Sequence, residues 1–262
     1  IDTIYIENEI CNNEITEKII RRVKPKNIIL CENYKEVFNK KSQNFKLQKK
    51  KPSLILAKKK NNFLLEVPKK QTIGGDKNFY FSQMLNCIYD CRYCFLQGMF
   101  DSASYVIFVN YIDFLMEIKN KINQLKGNRI HFFSGYDCDS LALEPITHFM
   151  KYLINRLDLN KGSLLELRTK STQINFLINQ KVVKNILIAF SLSPNDIVDN
   201  YEHKTPNLEK RIKAIKLLQI SGWKVGLRFD PIIYSENYRK IYKNFFKFVF
   251  DSINLSEIHS VT

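Results

Sequence analysis

From residue 76 to 262 the sequence alternates strand-like apolar runs with amphipathic, helix-like stretches, and this alternation limits the fold more than any other feature. The runs occupy residues 79–83, 105–110, 129–134, 164–169, 186–191, 225–229 and 258–262. Between most of them lie the helix-like stretches 111–125, 145–157, 173–179, 208–220 and 238–250. Pro145 and Pro206 suit helix starts, and Gly127 and Gly222 suit helix stops. The runs are β-branched or aromatic and apolar on both faces, as parallel strands covered by helices must be. Successive βα units with right-handed crossovers curl into a full or partial barrel, so the expected class is α/β. Functional residues in such barrels sit just after the strands. That rule picks out the cysteine cluster and segments 135–139, 168–171, 191–195 and 228–230.

Residues 1–75 have another rhythm, with strand-like runs at 28–30, 54–57 and 63–67 and a helix expected over 14–23. Gly74-Gly75 is the only double glycine and marks the expected boundary between a basic N-terminal region, 1–75, and a barrel, 76–262. The whole chain carries 41 Lys+Arg against 26 Asp+Glu, and its 45% hydrophobic content excludes a disordered or collagen-like chain. Residues 1–75 alone hold 17 Lys+Arg against 8 Asp+Glu, densest from Lys46 to Lys60. Such a patch attracts phosphate backbones. A solvated surface in a Lys-, Asn- and Ile-rich chain is the plainer reading. No run approaches the roughly 18 apolar residues of a membrane span, and residues 1–10 lack a signal-peptide pattern. A cytoplasmic protein with no membrane partner is expected. The chain opens on Ile and ends on a strand with nothing after it, so it is expected to continue at both ends.

Six cysteines are too few for a disulfide scaffold. Cys11, Cys31 and Cys138 stand alone, whereas Cys87, Cys91 and Cys94 form CxxxCxxC on the loop after the first barrel strand. Three thiols this close cannot all pair with one another, so they point to metal in a reducing compartment. Three thiolates on one loop can hold three irons of a 4Fe–4S cluster and leave the fourth open. The alternative is a zinc site completed by Cys138 or a histidine, although the usual second ligand pair is missing.

With Tyr93 as its aromatic, the motif resembles the signature of the radical S-adenosylmethionine (SAM) superfamily. More narrowly the chain is similar to the spore photoproduct lyase family, through CENYKEVFN (31–39), PSLILA (52–57), NCIYDCRYCFLQ (86–97), SLALE (140–144), YEHKTP (201–206) and LEKRI (208–212). The resemblance implies a partial (β/α)6-type barrel and a lyase acting on a thymine photolesion in DNA. It also implies a 4Fe–4S cluster on Cys87, Cys91 and Cys94, with SAM capping the open iron. Tyr93 would lie against the adenine, while Lys170 and Ser191 would contact SAM. Electrons would come from a donor such as flavodoxin or ferredoxin. For Lys170 the plainer reading is a solvated loop lysine, and for Ser191 a turn residue.

The chain departs from the family pattern at two places. Anchored on Leu143-Glu144, the hydrogen-donating cysteine's position falls on Tyr136, with Cys138 two residues later. The tyrosine expected after the last cluster cysteine is Phe95, which has no hydroxyl. Either Cys138 or Tyr136 is a candidate donor, and Cys138 reads equally well as a small buried hydrophobe. The substitutions also leave open a different substrate: modified RNA, a peptide or a small molecule. A third reading is a non-catalytic, zinc-containing nucleic-acid-binding module. Asp137 and Asp139 read as contacts to substrate or the SAM ribose, or as helix caps, Arg228 and Asp230 as an ion pair lining the barrel mouth or a structural pair, Glu202-His203 as capping or substrate contact, and His131 and His148 as packing residues.

Overall fold

The computed structural model describes residues 1–38, 40–68, 74–159 and 162–262, so Asn39 of the CENYKEVFN segment lies outside the described residues. The strands, in chain order, begin with β1 (Thr3–Glu7), β2 (Asn27–Cys31), β3 (Leu54–Ala57), β4 (Leu65–Glu66), β5 (Lys77–Phe81), β6 (Met84–Leu85) and β7 (Asp90–Cys91). They continue with β8 (Tyr105–Phe108), β9 (Ile130–Ser134), β10 (Ser163–Thr169), β11 (Ile186–Ser191), β12 (Glu202–His203), β13 (Lys224–Arg228) and β14 (Ile258–Val261).

Six strands in the order β5-β9-β10-β11-β13-β14 are parallel neighbours, with the short β4 antiparallel on the β5 edge. This is the partial α/β barrel anticipated from the alternation. Its ladder is regular in the middle, where Leu165 pairs with Phe132 on one side and Ile186 on the other. Successive side chains face opposite ways. Leu165 and Leu167 join a core with Ile188, Phe190, Val225, Leu227 and helix residues such as Ile215 and Leu218. The intervening residues, Glu166, Arg168 and Arg228, meet one another on the concave side.

One strand departs from expectation. The run 105–110, placed by the alternation in the barrel, forms β8 in a second sheet ordered β2-β1-β3-β8-β6. β8 follows the cysteine loop and pairs in parallel with β3, Ile55 opposite Val106, while β4, from before Gly74, pairs with barrel strand β5. Apolar strands buried on both faces look alike in sequence whichever sheet receives them. The two sheets thus exchange strands across Gly74-Gly75.

Helices Glu14–Val23 and Leu208–Ile220 occur where expected. Asn13 and Asn207 cap them by accepting from the Ile15 and Lys210 amides, and Gly222 follows the second at φ +81°. The helix expected over 145–157 is two short helices, Glu144–Thr147 and Phe149–Ile154, because His148 between them has φ +51°. Buried Glu144 bridges the break. Its carboxylate accepts from the Met150 and Lys151 amides, at 3.0 and 2.9 Å.

Burial raises the Glu144 pKa to about 7 against the pull of those amides, Thr147 and Arg22. A carboxyl that titrates higher folded than unfolded contributes stability that is complete below about pH 4.5 and lost as pH rises through 7. Urea unfolding is expected to lose up to about 3 kcal/mol across this window, and Glu144→Gln to flatten the profile. Identical pH profiles for the two proteins would refute this.

Candidate active site

The cysteine loop leaves β6 at Asn86, whose φ of +69° turns the chain sharply. The Asn86 amide closes the loop by donating to the Ser102 and Ser104 carbonyls, at 2.6 and 2.9 Å. Within it the Cys94 amide bonds the Cys91 carbonyl. A second clamp comes from the YEHKTP segment: β12 pairs antiparallel with β7, Glu202 opposite Cys91, and the Arg92 amide donates to the Tyr201 carbonyl at 2.8 Å. A polar segment that carries the family resemblance therefore holds the cysteine loop in place.

From sequence alone Glu202 reads as a cap or substrate contact. It is instead a buried centre of the site. Its carboxylate accepts from Arg211 (2.6 Å), Ser193 (2.9 Å) and the Tyr93 hydroxyl, and Lys170 Nζ stands 4.0 Å away. Burial alone would raise its pKa, but Lys170 and Arg211 hold the carboxyl below its ordinary value. Lys170 also lies over the Tyr93 ring, 5.7 Å from the centroid. Buried Arg211 has three further acceptors: Thr205 Oγ1 and the Pro206 and Ser191 carbonyls.

Across the barrel mouth, the loop after β9 turns at Gly135, φ +85°. A Cβ there would stand 2.6 Å from Ser140 Oγ and 2.9 Å from the Arg168 carbonyl, so only glycine fits without displacement. This tight turn presents Tyr136, Asp137, Cys138 and Asp139. Tyr136 stacks on Tyr80 of β5, centroids 4.2 Å apart, and its ring lies 6.1 Å from Phe95. Cys138 is buried beside Met84 and Tyr105, and burial pushes its thiol well above the ordinary value. Asp139 is occupied as a cap, accepting from the Leu141, Ala142 and Lys170 amides and the Thr169 hydroxyl. Asp137 accepts from Ser82 at 2.5 Å.

Eight of the residues singled out from sequence line one cavity of about 410 Å³: Cys87, Cys91, Cys94, Tyr93, Lys170, Ser191, Tyr136 and Cys138. Burial raises the Cys87 thiol strongly and the Cys91 thiol to about 12, so both are neutral without a positive partner. None of the six cysteines forms a disulfide. Among the described residues, no three His, Cys, Asp or Glu side chains close around a single metal-ion position. A cubane spreads its thiolates over separate irons, and three free thiols around one cavity fit that requirement.

One other expectation is corrected. Arg228 does not pair with Asp230; its guanidinium grips buried Glu166 at 2.9 and 3.0 Å, while exposed Asp230 accepts from Thr262. The basic run also divides. Lys58 and Lys60 pair with Glu9, whereas Lys49 reaches the cysteine loop, donating to Asp90 at 2.5 Å and Gln97 at 2.7 Å. Among the described residues no helix is long and apolar enough to cross a membrane.

The sequence matches the spore photoproduct lyase family model over residues 2–262. Spore photoproduct lyases of Clostridium acetobutylicum and Bacillus subtilis strain 168 are 28% identical over 189 residues and 23% over 177. These matches cover 72% and 67% of this chain but 56% and 52% of the relatives, so the chain spans about half the length of the curated relatives it matches. A solved spore photoproduct lyase variant with bound AdoMet and dinucleoside spore photoproduct superposes with a TM-score of 0.86 at 16% identity, covering 99% of this chain and 77% of the other. Another, complexed with the dinucleoside photoproduct, gives 0.82 over 96% and 74%. With the backbone shared and the family match running almost end to end, the chain belongs to the spore photoproduct lyase family.

Proposed function

We propose that this chain is a radical SAM enzyme that reverses a thymine photolesion in DNA. The observation that carries the reading is the cysteine trio at the barrel mouth, lining the same cavity as Tyr93, Lys170, Ser191, Tyr136 and Cys138. Cys87, Cys91 and Cys94 would hold a 4Fe–4S cluster. The cluster and SAM, when bound, supply a 5′-deoxyadenosyl radical, with electrons from a small protein donor such as flavodoxin or ferredoxin. Lys170 offers its ammonium to the SAM carboxylate, a charge-assisted pair. Tyr93, fixed through its hydroxyl by Glu202, offers its ring to the adenine, and Ser191 its hydroxyl. The basic helix Phe45–Lys50 borders the cavity through Phe45 and Lys49, a position suited to a nucleic-acid backbone.

Tyr136 is the better placed of the two hydrogen donors, since its ring is held at the mouth by Tyr80 while the Cys138 thiol is buried. A hydrogen atom passed from its hydroxyl to the repaired thymine leaves a tyrosyl radical, which one electron from the same donor and one proton restore. Tyr136→Phe is expected to keep SAM cleavage but divert the product, and Cys138→Ala to leave the product unchanged. The opposite pattern would move the role to Cys138. Phe95, 57% exposed and without a hydroxyl, favours a second reading in which the same chemistry acts on another substrate. The deciding assay quantifies 5′-deoxyadenosine and restored thymine in reconstituted protein with and without ultraviolet-irradiated DNA. Deoxyadenosine that ignores the DNA would select the second reading.

A further inference from the structure

The concave face of the barrel carries an unbalanced set of charges. Glu166, fully buried on β10, is shared by Arg228, by Arg168 and by His131, whose Nε2 is 3.2 Å from its carboxylate. Burial alone would raise the Glu166 pKa, but His131 and Arg228 hold its carboxyl far below the ordinary range, so it is charged. One negative charge therefore serves two guanidinium groups.

The two arginines differ in what remains free. Arg228 is buried and saturated: it donates to both Glu166 oxygens, the Leu227 carbonyl and Ser260. Arg168 donates only through Nε, to Glu166 at 2.8 Å, and its guanidinium packs on the Phe133 ring, 5.1 Å from the centroid. Its two Nη groups have no partner among the described residues, and the residue lines the cavity. A guanidinium anchored at its inner edge and open at its outer fork is arranged for bidentate capture of an oxyanion. The cavity's carboxylates leave it free, with Asp90 held by Lys49, Asp139 spent as a cap and Asp230 accepting from Thr262.

The cavity then has two cations with different anchors. Lys170 belongs to the cysteine loop through Tyr93 and Glu202, and Arg168 belongs to the barrel wall through Glu166 and Phe133. We propose that Arg168 binds the phosphodiester that links the two nucleosides of the substrate, with Glu166 as its positioning residue. This rests on the lyase reading above, in which Lys170 is already given to the cofactor carboxylate.

The test compares two photoproduct substrates, a dinucleotide that keeps the bridging phosphate and a dinucleoside that lacks it. With reconstituted native protein, KM for the dinucleotide is expected to be at least about tenfold lower, the size of a charge-assisted hydrogen bond. Arg168→Gln should erase the preference and Arg168→Lys should keep part of it. A preference that survives in Arg168→Gln overturns the assignment. So does a tenfold rise in KM for SAM in that variant, which would give Arg168 to the cofactor carboxylate. Phosphorus-31 line broadening of thymidylyl-thymidine by the protein decides the matter without turnover: broadening lost in Arg168→Gln supports the proposal, and equal broadening refutes it. Absence of turnover on both photoproducts would sink the lyase reading, while the broadening still judges Arg168.

Discussion

Replacing Cys91 with alanine is expected to reduce 5′-deoxyadenosine formation to background and to lower the iron and sulfide that the protein retains after reconstitution. Cys91 is the middle cysteine of the trio and lies in β7, where its backbone pairs with Glu202. Alanine keeps that ladder and most of the buried volume, so the fold should survive and the loss should be chemical. Cys31→Ala serves as the control, since Cys31 ends β2 in the other sheet and is absent from the cavity lining. Full iron and sulfide with unchanged deoxyadenosine in Cys91→Ala would remove the cluster from the assignment.

The contrast between Cys91 and Cys31 also marks what could be read from the sequence. Short-range patterns were legible: CxxxCxxC, the capped helices over 14–23 and 208–220, and the strand runs that became β9, β10, β11 and β13. Each depends on neighbours within a turn or two. Long-range pairing was not. The run 105–110 has the same apolar character as the barrel strands, and only the partner, β3, distinguishes it. The ion pairing of Arg228 failed for a related reason. Asp230 is near in sequence, but Glu166 is near across the sheet, on the same concave face. Glu202 shows the third kind of limit. Its residue type announced a cap, whereas its burial among Arg211, Ser193 and Tyr93 became visible only when β7 and β12 met.

That meeting of β7 and β12 makes Arg211 the side chain whose loss should cost most outside the cysteines. Arg211 and Glu202 are both fully buried, and their contact is 2.6 Å. Removing one partner of a buried pair leaves the other charge uncompensated, at a cost of about 3–5 kcal/mol. Arg211→Met is expected to lower urea-unfolding stability by that amount. It should also weaken retention of iron, because Glu202 sits opposite Cys91 and fixes Tyr93. The double variant Arg211→Met/Glu202→Gln removes both charges and should recover part of the loss, the difference giving their coupling. The exposed pair Lys247–Asp251, also at 2.6 Å, should show no measurable change when broken, since distance without burial contributes little. If Arg211→Met unfolds within about 1 kcal/mol of the native protein, the β7–β12 clamp does not depend on this pair, and retention of iron in the variant would then have to be traced to the Asn86 turn instead.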